Sequence, residues 1–227
     1  MLVEPFVTIA AMDLGNGHCK RTYDGVIIYN DPSVSYTPNQ FFNNTSHNLI
    51  SYKGSDPKYI GMDAVRSGKN FKSALGRDDI ERYESEEYKE LMFGFLAKDL
   101  QEHKNIYIPI LVLGLPNGHY AKKRQTLIEN ATGKHQIKVG EDTITIVVEQ
   151  VEVVPQPIGV FMHLDAQGKD LSGDTLIIDG GYDTLDVALL KNNPLSVVKH
   201  MDRKLGMKHA YSEILTHLSE EFGRSYN

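Results

Sequence analysis

Two aspartates stand where an apolar run gives way to glycine. The run Phe6-Val7-Thr8-Ile9-Ala10-Ala11-Met12 ends in Asp13-Leu14-Gly15-Asn16-Gly17, and Thr175-Leu176-Ile177-Ile178 ends in Asp179-Gly180-Gly181. A carboxylate at a strand end followed by a glycine turn suits phosphate and magnesium. Turn N–H groups can surround phosphate oxygens, glycine permits close backbone approach, and the carboxylate can hold the metal through its waters.

One such turn is weak evidence, because Asp and Gly together make ordinary hairpin turns. Two copies, each opening its own strand-turn-strand unit, make a stronger pattern, that of a duplicated domain with each copy offering one hairpin to a triphosphate. No Gly-x-x-x-x-Gly-Lys-Ser/Thr run exists, and no Gly-x-Gly-x-x-Gly leads from a strand into a helix. A nucleotide must therefore be held without the common phosphate loops.

The elements that must position these turns are legible from periodicity. His18-Cys19-Lys20-Arg21-Thr22-Tyr23 is the return strand of the first hairpin, and Val26-Ile27-Ile28-Tyr29 after Asp24-Gly25 is expected as a third strand. From 33 to about 84 the pattern loosens into an inserted subdomain. Ser85 then caps a helix whose Tyr88, Leu91, Met92, Phe95, Leu96 and Leu100 recur at helical spacing. Ile106 to Pro116 is apolar on both faces, as in a covered strand, with Pro109 arguing for a strand start or an edge. A basic helix from Tyr120 to Ala131 follows, its Lys122, Lys123 and Arg124 expected on the wet face. A hairpin through Gly140-Glu141-Asp142 leads to Pro155-Gln156-Pro157 and a short helix with Pro157 in its first turn. The expected domains are 1–165, a polar linker at 166–173, and 174–227, the last holding the second hairpin, a strand at Ser196-Val197-Val198 and a helix from Met207 to Phe222.

Composition narrows the class. The 227 residues carry a formal net charge of −6, so no global basic field exists to hold nucleic acid directly. Apolar runs are too short for a membrane span and the first residues do not read as a leader, which points to the cytoplasm with no membrane partner. The single cysteine, Cys19, excludes an internal disulfide, and the nine histidines show no paired metal spacing.

The motifs resemble the actin, heat-shock chaperone and sugar-kinase superfamily, and within it the bacterial plasmid-segregation actins of the ParM type. Residues 11–20 are similar to the first phosphate motif, Val153-Val154-Pro155-Gln156-Pro157-Ile158-Gly159 to the connecting motif, and residues 176–186 to the second phosphate motif. Leu113-Gly114-Leu115-Pro116 with its basic helix, and Leu205-Gly206, also match ParM-like chains. The resemblance implies an α/β, actin-like (ribonuclease H-like) fold: mixed sheets with flanking helices, a duplicated domain, and an incomplete second domain. The family continues past the last helix into an adenosine-binding part, so the sequence is expected to be a fragment or a reduced member.

Carried over by position, Asp13 and Asp179 hold hydrated Mg2+, and Gly15, Asn16, Gly17, Gly181, Tyr182, Asp183 and Thr184 line the phosphates of ATP or GTP. Lys20 reaches a phosphate as a point charge, although a solvated strand lysine is the plainer reading. Gln156, where ParM has glutamate and actin glutamine, orients the attacking water, so positioning catalysis with slow turnover is expected. A polar cap on the following helix is its plainer reading. Asp183 departs from the small or hydroxyl residue usual there. The function implied is an NTPase that self-associates into filaments and moves or segregates plasmid DNA through a DNA-binding adaptor. A small-molecule kinase on the same scaffold and a non-hydrolysing interaction module are the alternatives.

Overall fold

The computed structural model describes residues 9–38, 48–67, 72–73, 80–192 and 194–225. Phe6-Val7-Thr8 of the expected first strand, and residues 39–47, 68–71 and 74–79 of the loosely patterned stretch, lie outside them. Packing divides the chain into two compact units, residues up to Leu115 with His119–Val154, and Pro116–Gly118 with the residues from Pro155 onward.

The first unit is built on a seven-stranded mixed sheet whose spatial order is β3 (Tyr29–Pro32), β2 (His18–Thr22), β1 (Ile9–Leu14), β8 (Asn105–Leu115), β10 (Asp142–Pro155), β9 (Gly133–Val139) and β5 (Ile50–Tyr52). Its opening meander is β1 (Ile9–Leu14), β2 (His18–Thr22) and β3 (Tyr29–Pro32). Val26-Ile27-Ile28 is not part of a strand, contrary to expectation, and the three side chains are 81%, 57% and 69% exposed. The cause is Asp24, whose Oδ1 accepts the N–H groups of Val26 (2.8 Å) and Ile27 (2.9 Å), spending in a turn the donors that a ladder needs.

A small sheet of order β6-β4-β7 follows, from β4 (Val34–Tyr36), β6 (Tyr59–Ile60) and β7 (Lys72–Ser73), with α1 (Met62–Ser67) beside it. Between β4 and β6, β5 (Ile50–Tyr52) leaves this insertion and pairs with β9 at the edge of the main sheet. A 3-10 turn (Ile80–Glu84) leads to α2 (Glu86–Asp99), which Ser85 caps by accepting the Tyr88 N–H. Tyr88, Leu91, Met92, Phe93, Phe95 and Leu96 are all buried, so the expected stripe widens into a helix enclosed on most sides.

β8 (Asn105–Leu115) is central and parallel to β1, followed by α3 (Asn117–Ala131), β9 (Gly133–Val139) and β10 (Asp142–Pro155). Pro109 is inside β8 rather than at its start or at a sheet edge. The described β1–β8 ladder begins one residue later, at Ile9 opposite Ile110, so the missing proline N–H costs none of these rungs. Gly140 at φ 61° turns the β9–β10 hairpin. Lys123 is not on a wet face: only 8% exposed, it pairs with Glu84 (2.5 Å) and Glu81 (3.2 Å).

The second unit contains α4 (Gln156–Ala166), an antiparallel sheet β11-β12-β13 (Thr175–Gly180, Leu185–Asn192, Leu195–Arg203) and α5 (Met207–Phe222). The sequence reading assigned α4 to the first domain. By packing it belongs here, because Phe161 joins Ile177, Ala188 and Leu190 in one small core. The opposite sheet face leaves Leu176 and Ile178 exposed, and α5 has no buried residue. Among the described residues no helix is long and apolar enough to cross a membrane.

Candidate functional site

The two aspartate-headed turns have the same geometry. Asp13 is opposite Lys20 and Leu14 opposite Cys19 in the first ladder, while Asp179 is opposite Asp186 and Gly180 opposite Leu185 in the second. A Cβ added to Gly15 would meet the His18 carbonyl oxygen at 3.1 Å, and one added to Gly181 would meet the Thr184 carbonyl oxygen at 3.1 Å. Each turn is thus closed so tightly by its own backbone that a side chain at that glycine requires a carbonyl to give way.

The first turn is backed by side chains from distant segments. Ser33, fully buried, donates from Oγ to the Gly15 carbonyl (2.6 Å) and from its N–H to the Gly17 carbonyl (2.9 Å). Arg82, from the 3-10 turn, donates to the Asn16 side-chain oxygen. Lys20 is exposed and, directly opposite Asp13, projects from the same sheet face. Neighbouring Cys19 is buried, and burial pushes its thiol up to about 12, so it offers no thiolate at neutral pH.

The second turn is laid on the start of α5. Carbonyls of Gly181, Tyr182 and Asp183 accept N–H groups of Met207 (3.0 Å), Lys208 (2.9 Å) and Gly206 (3.2 Å), partners that a helix N-terminus otherwise lacks. This contact requires glycine at 206, where a Cβ would sit 2.4 Å from the Tyr182 oxygen and 2.5 Å from the Asp183 carbonyl carbon. Asp183, the departure from the family pattern, is 3.6 Å from the Lys208 ammonium. Its charge thereby has a cationic neighbour on α5. Thr184 commits its hydroxyl to Asp186 (2.7 Å), and Tyr182 is 43% exposed.

Within this second unit, Gln156 and Asp179 line one small pocket, together with Asn117, Asp186 and His200. Gln156 is there because Pro155 ends β10 and α4 begins at the next residue. Asp179 and Asp186, facing across the ladder, put two carboxylates into a lining that is otherwise mostly apolar, Pro157, Val160, Ile177 and Ala188 among it. Among the described residues no group of three or more His, Cys, Asp or Glu could cage a metal alone. Mg2+ does not need such a cage, since it keeps waters and takes one or two carboxylates plus phosphate oxygens, and Asp13 in the first unit and Asp179 in the second are each a carboxylate of the kind it takes.

Sequence reasoning missed Ser33, Arg82, Asp186, His200 and Lys208. Arg82 is 66 positions from Asn16, and nothing local in Ile80-Glu81-Arg82-Tyr83 marks it. Asp186 was within reach, since it stands opposite Asp179 as Lys20 stands opposite Asp13.

Residues 11–159 match the family model described as the actin-like proteins N-terminal domain. No curated protein matches the chain. Among solved structures, Ta0583, an archaeal actin homologue, in complex with ADP is 20% identical with a TM-score of 0.74, over 97% of this chain and 68% of that one. The apo psk41 ParM protein is 20% identical with a TM-score of 0.71, over 94% and 71%. A 15-stranded ParM filament from Clostridium botulinum gives 22% and 0.70, over 97% and 71%. The turns, the sheet that carries the first of them, and these matches agree: the chain belongs to the actin-like proteins and has their fold.

Proposed function

We propose that this chain binds a nucleoside triphosphate, ATP or GTP, through the phosphates. Gly15, Asn16 and Gly17 serve at the first turn, with Lys20 adding a cation, and Gly181, Tyr182, Asp183 and Thr184 at the second. Asp13 and Asp179 hold Mg2+ through its waters, which supplies charge neutralisation on the phosphate oxygens. Gln156 accepts a hydrogen bond from the attacking water and orients it. An amide is too weak a base to take the proton fully, so turnover is slow. Binding drives self-association into filaments in the cytoplasm, and a DNA-binding adaptor couples the filament to plasmid DNA, which the acidic chain does not hold itself.

The observation that carries this reading is the register equivalence of the two turns, each an aspartate, a glycine two residues on, and a closing carbonyl three further. Membership of the actin-like proteins supports it. The test is light scattering with phosphate release, in ATP or GTP with Mg2+, for the wild type and Asp179→Ala. Nucleotide-dependent scattering and slow release that the substitution abolishes are expected. Absence of nucleotide binding by the wild type contradicts the reading.

A further inference from the structure

Arg82 is an unusual support for a loop. It is 8% exposed, its Nη1 donates to Asn16 Oδ1, its Nη2 donates to the Tyr83 hydroxyl (2.9 Å), and its guanidinium carbon is 4.8 Å from the Tyr83 ring centroid. Tyr83 is fixed in turn by His119 Nδ1 at 3.0 Å. Both acceptors that the guanidinium reaches among the described residues are neutral. Its buried Nε–H finds no acceptor among them. A guanidinium cannot shed its charge, so the group behind the first turn is a permanent cation with no carboxylate accepting its N–H groups among the described residues.

We infer that Arg82 is a positioning residue for phosphate at the first turn: it holds the Asn16 amide with its nitrogen turned toward the phosphates and sets a fixed positive charge behind them. The direction of the amide follows from chemistry. A guanidinium has donors only, so the Asn16 atom that it meets is the oxygen, and the NH2 group points away from Arg82. That leaves two N–H donors for an anion on the outer side of the turn. The anion in turn faces a guanidinium that has no carboxylate acceptor among the described residues. The inference rests on the phosphate-binding reading of this turn.

Calorimetric titration of the 227-residue chain with MgATP and with AMP separates the two. Arg82→Met is expected to weaken MgATP about tenfold, the scale of a lost hydrogen bond in a charged setting, and AMP much less. Asn16→Ala removes the amide through which Arg82 acts, so Arg82→Met is expected to weaken MgATP less in the Asn16→Ala background than in the wild type, a non-additivity that a merely structural role does not produce. Should Arg82→Met fail to fold, Arg82→Gln, which keeps a donor for the Asn16 oxygen and drops the charge, takes its place. MgATP binding at wild-type strength in the folded Arg82 variant, or a loss that adds in full to that of Asn16→Ala, overturns the role of Arg82 alone. Failure of the wild type to bind either nucleotide overturns this role and the phosphate reading together.

Discussion

The two turns share a register yet are held in opposite ways. Side chains prop the first, with Ser33 and Arg82 reaching it from other segments of a unit with a large core. Backbone holds the second, three of its carbonyls docked on the N–H groups at the start of α5, in a unit whose core centres on Phe161, Ile177, Ala188 and Leu190. The same turn shape thus stands on unlike supports, each unit reaching it with what its surroundings supply, and that shape is what the proposed phosphate binding requires. The first turn should therefore be sensitive to side-chain truncation and the second to any added Cβ at its contact with α5.

The largest effect is expected deep in the first unit. Arg21 pairs with Asp99 (2.5 Å) and Asp31 (2.8 Å), with side chains 1%, 7% and 17% exposed, and its guanidinium carbon is 4.3 Å from the Phe95 ring centroid. Asp99→Ala leaves a buried cation short of its partner and should cost about 3–5 kcal/mol in urea unfolding. Gly206→Ala comes next, at about 3 kcal/mol, since its Cβ can be relieved only by moving backbone. Hydrogen exchange should show the loss at 205–209 and 181–184 while the first unit keeps its protection. Ser33→Ala should cost about 1 kcal/mol in urea unfolding and loosen the first turn without touching the second.

The smallest effect is a pH dependence confined to the first unit. His135 is buried, with its ring centroid 3.7 Å from that of Phe93, the Tyr52 hydroxyl 3.3 Å from Nδ1 and the Ala131 carbonyl 3.2 Å from Nε2. Burial holds its pKa below the ordinary value of 6.5. On acidification the unfolded chain takes the proton first, so this contribution is intact above about 6.5 and lost as pH falls toward the lowered folded value. Urea midpoints at pH 7.5 and 5.5 should diverge less in His135→Phe than in the wild type.

Much of this was legible in the sequence because it rests on local rules. Ser85 reads as a cap, Met207 to Phe222 as a helix, and the aspartate-glycine turns as hairpins, since each needs only neighbours to form. Val26-Ile27-Ile28 misled because β-branched residues suit a strand, while a single Asp24 oxygen claims their amides. Lys123 misled because its acidic partners come from another segment, about forty positions away. In the site, the residues that form the turns could be named, whereas Ser33 and Arg82, which prop the first turn, could not. Their roles exist only once β3, β4 and the 3-10 turn are folded against it.

The central claim is that both turns take phosphate. Hydrogen exchange of the 16–17 and 181–184 amides, with and without MgATP, tests it most directly, because those N–H groups are the proposed donors, whereas the Gly15 N–H is already held by the His18 carbonyl (3.1 Å). The account predicts that nucleotide slows exchange in both segments and that Asp179→Ala diminishes the effect. Unchanged exchange in either turn under saturating nucleotide would contradict it.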